Sequence, residues 1–256
     1  MLTHTLLQAV QAGATQLRHY YEKSFTISNK EGVNNLVTEA DHAAEKAIFE
    51  IIQTQYPDHY ILSEESGDMP QDSAYKWIID PLDGTVNFAH GIPLCAVSIG
   101  VEKDGEMILG AVYAPFINEL YIAEKGQGAT LNDRKLQVST QTDMLKSCLV
   151  TGFPYTYPEL HIGPLEIFAK LVKQGIPVRR LGSAAIDLCW VAAGRFDGFW
   201  EFNLSPWDTA AGYLLVKEAG GTITDFTGAE FSCYQKQLLA TNTHLHQPLL
   251  QAITQP

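Results

Sequence analysis

Two aspartates, Asp80 and Asp83, lie three residues apart directly after the apolar segment 77–79, with Pro81 between them and Gly84 behind them. The apolar run predicts a buried strand whose pairing stops at the proline, because proline has no N–H to donate. The glycine permits a tight turn or close contact with a ligand. Carboxylate oxygens suit hard cations such as Mg²⁺, and free backbone N–H groups suit oxyanions. The loop could therefore hold a metal ion and a phosphate, although Asp-Pro and Asp-Gly are also ordinary turn dipeptides.

Two other segments place acids at the ends of predicted elements. Glu64 and Glu65 follow the apolar segment 61–62, a pattern that by itself is typical of a solvated turn. Asp208 lies in the first turn of a helix predicted over 206–219, where a carboxylate complements the helix dipole. If these acids meet the first two aspartates, each pair of charges ~4 Å apart repels by about 4 kcal/mol at an effective dielectric constant of 20. Such a cluster requires protonation or bound cations.

Together, these segments resemble the inositol monophosphatase family of Mg²⁺-dependent, lithium-sensitive phosphatases. The matching segments occur in the family's order and span nearly the whole chain: 36–41, 64–66, 80–85, 181–185, 207–208 and 218–221. The resemblance implies an α/β fold, a five-layered α/β/α/β/α sandwich of the sugar-phosphatase type, usually as a homodimer. A polar stretch over 136–146 suggests one domain, 1–256, of two packed halves, about 1–140 and 141–256.

The resemblance also implies a role for each matched residue. Two or three Mg²⁺ ions would be held by five residues: Glu64, Asp80, Leu82 through its carbonyl, Asp83 and Asp208. The catalytic residues would be Glu64, Thr85 and Asp80, with the first two orienting and activating a water molecule. Phosphate and substrate contacts would come from Asp83, Gly84, Thr85, Gly182, Ser183, Ala184, Glu201 and Asp208.

Several of these positions also have a purely structural interpretation. Ser183 could be a helix N-cap, and Glu201 a solvated acid at a strand end. Asp41 matches a residue that supports the site in relatives, but it could equally be part of a capping box with its own helix. Lys30 has the same supporting position, and Arg179-Arg180 could contact an anionic substrate or form an interface salt bridge. The sequence leaves these alternatives open.

The elements that must position these residues follow from apolar periodicity and turn residues. Helices are predicted over 3–22, 39–55, 159–173, 184–193, 206–219 and 244–253. Strands are predicted over 60–63, 75–79, 95–103, 107–114, 119–124, 129–131, 147–152, 178–181, 196–202, 222–225 and 238–240. Asp104-Gly105 predicts a hairpin turn. Mixed helices and strands without repeats indicate sheets layered between helix pairs.

Composition limits the classes of partner. The chain has 256 residues, of which 46% are hydrophobic, and a formal net charge of −12, so it has no basic surface for nucleic acid or an anionic membrane. The 4 cysteines lack zinc spacing and are expected to be free thiols. The eight histidines have no ligand spacing and are expected at the surface. We expect a cytoplasmic protein without a membrane span.

The substrate remains open within the phosphatase class. The leading hypothesis is hydrolysis of a small polyol phosphate such as myo-inositol monophosphate. Fructose-1,6-bisphosphatase and histidinol-phosphate phosphatase are alternatives, and a nucleotide phosphatase is less consistent with Val86-Asn87-Phe88 after the Asp-Gly-Thr segment. A non-enzyme alternative is a catalytically idle regulatory member of the family, which loss of a ligand acid would favour.

Overall fold

The computed structural model describes residues 1–21, 23, 27–29, 36–154 and 163–255. Its helices are α1 Leu2–Tyr20, α2 Glu39–Gln55, α3 Thr85–Ala89, α4 Pro164–Lys173, α5 Ala184–Ala192, α6 Pro206–Glu218 and α7 His246–Thr254. Its strands are β1 Ile27–Asn29, β2 Leu36–Thr38, β3 Tyr60–Ser63, β4 Gly67–Met69, β5 Tyr75–Asp83, β6 Ala96–Lys103, β7 Glu106–Ala114, β8 Glu119–Glu124, β9 Gly128–Leu131, β10 Arg134–Lys135, β11 Leu149–Thr151, β12 Val178–Arg179, β13 Gly198–Phe202, β14 Thr222–Thr224 and β15 Gln237–Thr241. Lys30 and the first part of the helix predicted over 159–173 lie outside the described residues.

The strands form two large sheets and one small ribbon. The larger sheet has eight strands in the order β10-β9-β8-β7-β6-β5-β3-β4, and the smaller has five in the order β12-β11-β13-β15-β14. Strands β1 and β2 pair separately as an antiparallel ribbon. Most neighbouring strands are antiparallel, but β3 runs parallel to β5, and β11 runs parallel to β12 and β13.

Three clusters of buried apolar side chains join these sheets to the helices in five layers. Helices α1 and α2 cover one face of the eight-stranded sheet. Helices α5 and α6 are packed between the two sheets and form the largest cluster with both. Helices α4 and α7 cover the outer face of the five-stranded sheet. The predicted α/β/α/β/α sandwich is therefore confirmed.

Helix α6 packs closely on the eight-stranded sheet through small residues on its contact face. Ala210, Ala211 and Gly212 are buried in this helix. A Cβ atom at Gly110 of β7 would lie only 2.9 Å from the Ala211 carbonyl oxygen, so the strand needs glycine there. The close contact brings the first turn of α6 beside the end of β5, where the acids lie.

The expectation that pairing stops at Pro81 is wrong. Strand β5 continues through Asp83, and its register against β6 shifts by one residue between Asp80 and Asp83. This shift is a β-bulge, in which one extra residue has no partner on the neighbouring strand. Pro81 is tolerated because a residue within a bulge does not have to donate a ladder hydrogen bond.

The other predicted elements agree with the structure apart from shifts of a few residues at their ends. The capping box of Thr38 and Asp41 is present, and Asp104 and Gly105 form the β6–β7 turn with positive φ angles of 51° and 83°. The short elements α3, β1, β2, β4 and β10 were not predicted, because segments of two to five residues carry little periodicity.

No helix in the described part of the chain is long and apolar enough to cross a membrane.

The expectation that the histidines lie at the surface is wrong for His246. Its side chain is 5% exposed and lies within 3.0 Å of the hydroxyl groups of Thr224 and Thr241. It begins α7, whose inner face packs on the five-stranded sheet. Burial lowers its pKa, so the neutral imidazole is favoured there.

Candidate active site

A cavity of about 470 Å³ opens where the ends of β3, β5 and β13 meet the first turns of α5 and α6. Every site residue predicted from the sequence lines it: Glu64, Asp80, Leu82, Asp83, Gly84, Thr85, Gly182, Ser183, Ala184, Glu201 and Asp208. Arg180 also lines the cavity, whereas Arg179 and Asp41 do not. Residues far apart in the chain are thus brought to one place.

The β5 bulge places both aspartates of the central loop on the same side of the sheet. In a regular strand, residues three apart point to opposite faces. Here Asp80 pairs with Ser98 and Asp83 with Ala96, so three steps along β5 match two steps along β6. The extra residue brings both carboxylates to the face that packs on α5 and α6.

Glu64 reaches the cavity through the parallel pairing of β3 with β5. Ser63 pairs with Ile79, so the next residues, Glu64 and Asp80, lie side by side. The Glu64 N–H donates to the Ile79 carbonyl at 3.1 Å. The carboxylate of Glu45 in α2 supports the segment that carries Glu64 through hydrogen bonds from Ser63 and Ser66.

Glu45 is a positioning residue that sequence reasoning missed. Its carboxylate is 6% exposed and accepts from the Ser63 hydroxyl at 2.5 Å and from the Ser66 N–H at 3.0 Å. The Ser66 hydroxyl donates to its second oxygen at 2.6 Å. The available signal was its spacing, four residues after Asp41, which places both acids on one face of α2.

The first turn of α5 fixes the carboxylate of Asp83. One oxygen, Oδ2, accepts from the Ser183 hydroxyl at 2.5 Å and from the Ala185 N–H at 2.7 Å. Ser183 is also the N-cap of α5 and accepts from the Ile186 N–H at 3.3 Å. The N-cap interpretation of Ser183 is therefore confirmed, and its hydroxyl also holds Asp83, while its predicted contact with the substrate stays a prediction.

Asp208 and Asp80 are each held by a neighbouring backbone donor. The Ser205 N–H donates to Asp208 Oδ2 at 2.6 Å at the beginning of α6. The Leu82 N–H donates to Asp80 Oδ1 at 3.0 Å within the bulge. In both cases the donor is close in sequence, so a short local segment fixes the orientation of the carboxylate.

Thr85 begins α3 beside these acids. Its hydroxyl lies 3.0 Å from the Leu82 carbonyl oxygen and 3.3 Å from Asp41 Oδ1. Asp41 is fully buried and accepts from the Thr38 N–H at 2.8 Å, so it both caps α2 and contacts Thr85. Gly84 has a φ of 91°, and a Cβ there would lie 2.9 Å from the Leu94 carbonyl oxygen.

Burial and mutual repulsion raise the pKa of the clustered acids. Burial, followed by the charges of Glu64, Asp83 and Asp208, raises the pKa of Asp80 well above its usual range. Burial and Glu64 raise the pKa of Asp208 to about 8. Asp83 rises only to about 6, because hydrogen bonds from Ser183 and Ala185 oppose the effect of burial. The cavity therefore favours positive charge or protons.

The set of donors around the cavity suits a hard cation. Carboxylates and a backbone carbonyl are the ligands that Mg²⁺ prefers. Among the described residues, no three or more His, Cys, Asp or Glu side chains are already grouped so as to hold a metal ion. A hydrogen bond with Glu64 also raises the pKa of Asp80.

Glu201 and Asp187 form the opposite wall of the cavity. Glu201 comes from β13, and burial, then Asp208 and Asp83, raises its pKa to about 8. A Cβ at Gly152 would lie 2.0 Å from Glu201 Oε1, so only glycine leaves room for this carboxyl group. Asp187 was missed from the sequence, although it is an acid in the first turn of its helix, α5, as Asp208 is in α6.

Known proteins of similar sequence and structure share this architecture. The inositol-1-monophosphatase of Synechocystis is 45% identical over 96% of this chain and 86% of its own length. The Nus factor SuhB of Escherichia coli K12 is 42% identical over 98% of this chain and 94% of its own. The crystal structure of the extragenic suppressor protein suhB from Bartonella henselae matches with a TM-score of 0.94 and 38% identity, covering 99% of this chain and 98% of that chain.

With these likenesses, the fold and the acid-lined cavity define a phosphoric monoester hydrolase. A family model described as "Inositol monophosphatase family" matches residues 1–255. The chain therefore belongs to the inositol monophosphatase family, as its motifs predicted.

The raised pKa of Glu201 predicts how the stability of the metal-free protein depends on pH. The folded carboxyl group retains its proton up to about pH 8, whereas in the unfolded chain it ionises near its ordinary value of 4.5. The contribution of this carboxyl group to the free energy of unfolding is therefore fully present below pH 4.5. It is lost as the pH rises toward 8. Glu201→Gln should be more stable than the wild type at pH 8 by on the order of 1–2 kcal/mol, with little difference at pH 5.

Thermal unfolding in EDTA at both pH values measures this difference. Glu50→Gln, at an exposed position of α2, is the control and should change neither value. If Glu201→Gln changes the unfolding temperature equally at pH 5 and pH 8, the raised pKa of Glu201 would be contradicted.

Proposed function

We propose that the protein hydrolyses a small polyol phosphate monoester, such as myo-inositol monophosphate, with the help of Mg²⁺. The observation that supports this most directly is the convergence of four carboxylates, Glu64, Asp80, Asp83 and Asp208, on one cavity. Their mutual repulsion disfavours a cavity that works without a cation. All the acids of the family's pattern are present, which argues against a catalytically idle member.

The proposed ligands are these four carboxylates and the carbonyl oxygen of Leu82, for two or three Mg²⁺ ions. One oxygen of each aspartate is already held by a backbone or hydroxyl donor, which fixes the carboxylate before a cation arrives. When bound, Mg²⁺ would supply the positive charge that lowers the pKa of water and stabilises an in-line displacement at phosphorus.

Thr85 and Glu64 are the proposed groups that orient the attacking water. The Thr85 hydroxyl has one proton to donate, and buried Asp41 can accept it at 3.3 Å. A lone pair of the hydroxyl is then available to accept a hydrogen bond from water, and Glu64 can accept the proton that the water loses. The N–H groups of Gly84 and Thr85, where α3 begins, would bind the phosphate oxygens.

The alcohol part of the substrate would face the second sheet. Glu201, with the backbone of Gly182 and Ala184, is proposed to contact its hydroxyl groups. The hydroxyl of Ser183 is engaged with Asp83, so its contribution would be to position that acid. A cytoplasmic location is part of the same proposal and is supported by the free state of all four cysteines. A homodimer is proposed from the family resemblance.

A second role is suggested by the names of relatives. Proteins named Nus factor SuhB are about as similar to this chain as those named inositol-1-monophosphatase, at 42% and 45% identity. A role as a Nus factor beside phosphatase activity is therefore a second candidate. Hydrolysis of fructose 1,6-bisphosphate or histidinol phosphate remains an alternative for the substrate.

Metal removal tests the proposed function most directly. Phosphate release from myo-inositol 1-phosphate should require Mg²⁺ in the millimolar range, because Mg²⁺ keeps its waters and binds such sites modestly. Excess EDTA should abolish turnover, and added Mg²⁺ should restore it. Parallel assays with fructose 1,6-bisphosphate and histidinol phosphate identify the substrate class, and undiminished activity in EDTA would refute the metal role.

Replacing either aspartate of the bulge should separate activity from stability. Asp80→Asn and Asp83→Asn should each lower kcat by several orders of magnitude, because each removes a cation ligand. Asp80→Asn should also leave the metal-free fold as stable or more stable, since it relieves repulsion. Kinetics and thermal unfolding measure the two effects. A variant that keeps more than about a tenth of kcat/KM would remove its residue from the metal ligands.

Lithium should inhibit the enzyme if the cation site is built as proposed. Li⁺ is similar in size to Mg²⁺ but carries half the charge, so it stabilises a developing negative charge less well. Inhibition should be uncompetitive in substrate, which gives parallel double-reciprocal lines. Initial rates at several LiCl concentrations measure it, with KCl at matched ionic strength as the control. No inhibition at tens of millimolar would contradict the expected cation site.

A further inference from the structure

Asn87 of α3 is a buried amide that joins two segments from different parts of the chain. Its side chain is 5% exposed, and its Nδ2 atom donates to the carbonyl oxygens of Leu94 at 2.7 Å and Leu181 at 2.8 Å. Both partners are acceptors, so both N–H groups of the amide are used. Asn87 does not line the cavity, so any effect on the reaction must pass through the residues that it holds.

Helix α3 depends on such contacts for its placement because it is short. It has five residues, and the Phe88 N–H closes its first turn on the Gly84 carbonyl oxygen at 3.0 Å. A helix of this length is not stable by itself. Its buried side chains are Asn87 and Phe88, and Phe88 packs with the apolar cluster beneath α1 and α2. Asn87 attaches the helix to the segment at Leu181.

The same segment of the second half is also attached to the end of β5. The chain after Leu181 leads into the first turn of α5, which donates two hydrogen bonds to the carboxylate of Asp83. Asn87 therefore makes a second contact between the same two parts of the chain. Asp83 precedes Thr85 and Asn87 follows it, so the short segment that contains Thr85 is held at both ends.

We infer that Asn87 is a positioning residue for the reaction: its amide fixes α3 so that the hydroxyl of Thr85 is directed at the attacking water. The inference rests on the proposed phosphatase function and adds to it, since it gives a role to a residue that does not touch the substrate. A displacement of about 1 Å at a group that takes part in the reaction can cost on the order of 100-fold in rate. Because Thr85 acts on the water, the loss falls on kcat and not on KM.

The test compares Asn87 with Asn242, a second buried amide that joins distant segments. Asn242 is 1% exposed, does not line the cavity, and donates from Nδ2 to the Ser139 hydroxyl at 2.8 Å and to the Gln141 carbonyl oxygen at 2.9 Å. At each position, substitution by alanine removes the amide. Substitution by aspartate keeps its shape but replaces the two N–H donors with an acceptor oxygen.

Kinetics with Mg²⁺ are measured well below the unfolding temperature, with myo-inositol 1-phosphate and with phenyl phosphate. Asn87→Ala and Asn87→Asp should each lower kcat by about tenfold or more for both esters, because both use the same attacking water, and KM should stay within about threefold. Asn242→Ala and Asn242→Asp should lower the unfolding temperature by a similar amount, since each also loses two hydrogen bonds, but should keep kcat within about threefold.

Three results would overturn the inference: an unchanged kcat in the folded Asn87 variants, a rise in KM without a fall in kcat, or an equal fall in kcat in the Asn242 variants. If Asn87→Ala does not fold, Asn87→Asp is judged by the same criteria. If neither variant folds, Asn87 has a structural role only and the inference is wrong. If the wild type hydrolyses neither ester with Mg²⁺, the proposed function fails, and the inference with it.

Discussion

Repulsion among buried carboxylates is the constraint around which this protein is organised. Glu64, Asp80, Asp83 and Asp208 share one cavity, and burial together with their mutual charges raises the pKa of three of them. Water would disperse these charges, but the surrounding layers exclude much of it. Such a cluster persists in a folded protein only where the scaffold is rigid enough to hold it and where a cation or protons neutralise it.

The scaffold meets this requirement with short, local supports. Each aspartate is oriented by a donor from its own turn or from the first turn of α5, and Glu45 and Asp41 brace the loops from α2. Because these supports come from helices packed on both faces of the eight-stranded sheet, the site depends on the layered core as a whole.

Two walls of the cavity carry different charged groups. The wall formed by the β5 loop and the first turn of α6 carries the acids that suit cations and, through them, a phosphate. The wall formed by α5 and β13 carries Asp187 and Glu201, and Arg180, which follows β12, opposes the effect of burial on the pKa of both. A net charge of −12 works against the approach of a phosphate ester, so positive charge in the cavity would favour its binding.

The sequence predicted most of the helices and strands, because periodicity and turn residues are local properties. The resemblance to a known family, carried by motifs along the whole chain, supplied the layered fold and the acids of the family's pattern. The sequence was not sufficient for the bulge at Pro81, since a register shift depends on the partner strand β6. The roles of Glu45, Asp187 and His246 likewise required the tertiary structure: each is buried by segments distant in sequence. Convergence of the carboxylates is a long-range property: pairing of β3 with β5 brings residues 64 and 80 together, and packing of α6 between the two sheets adds residue 208.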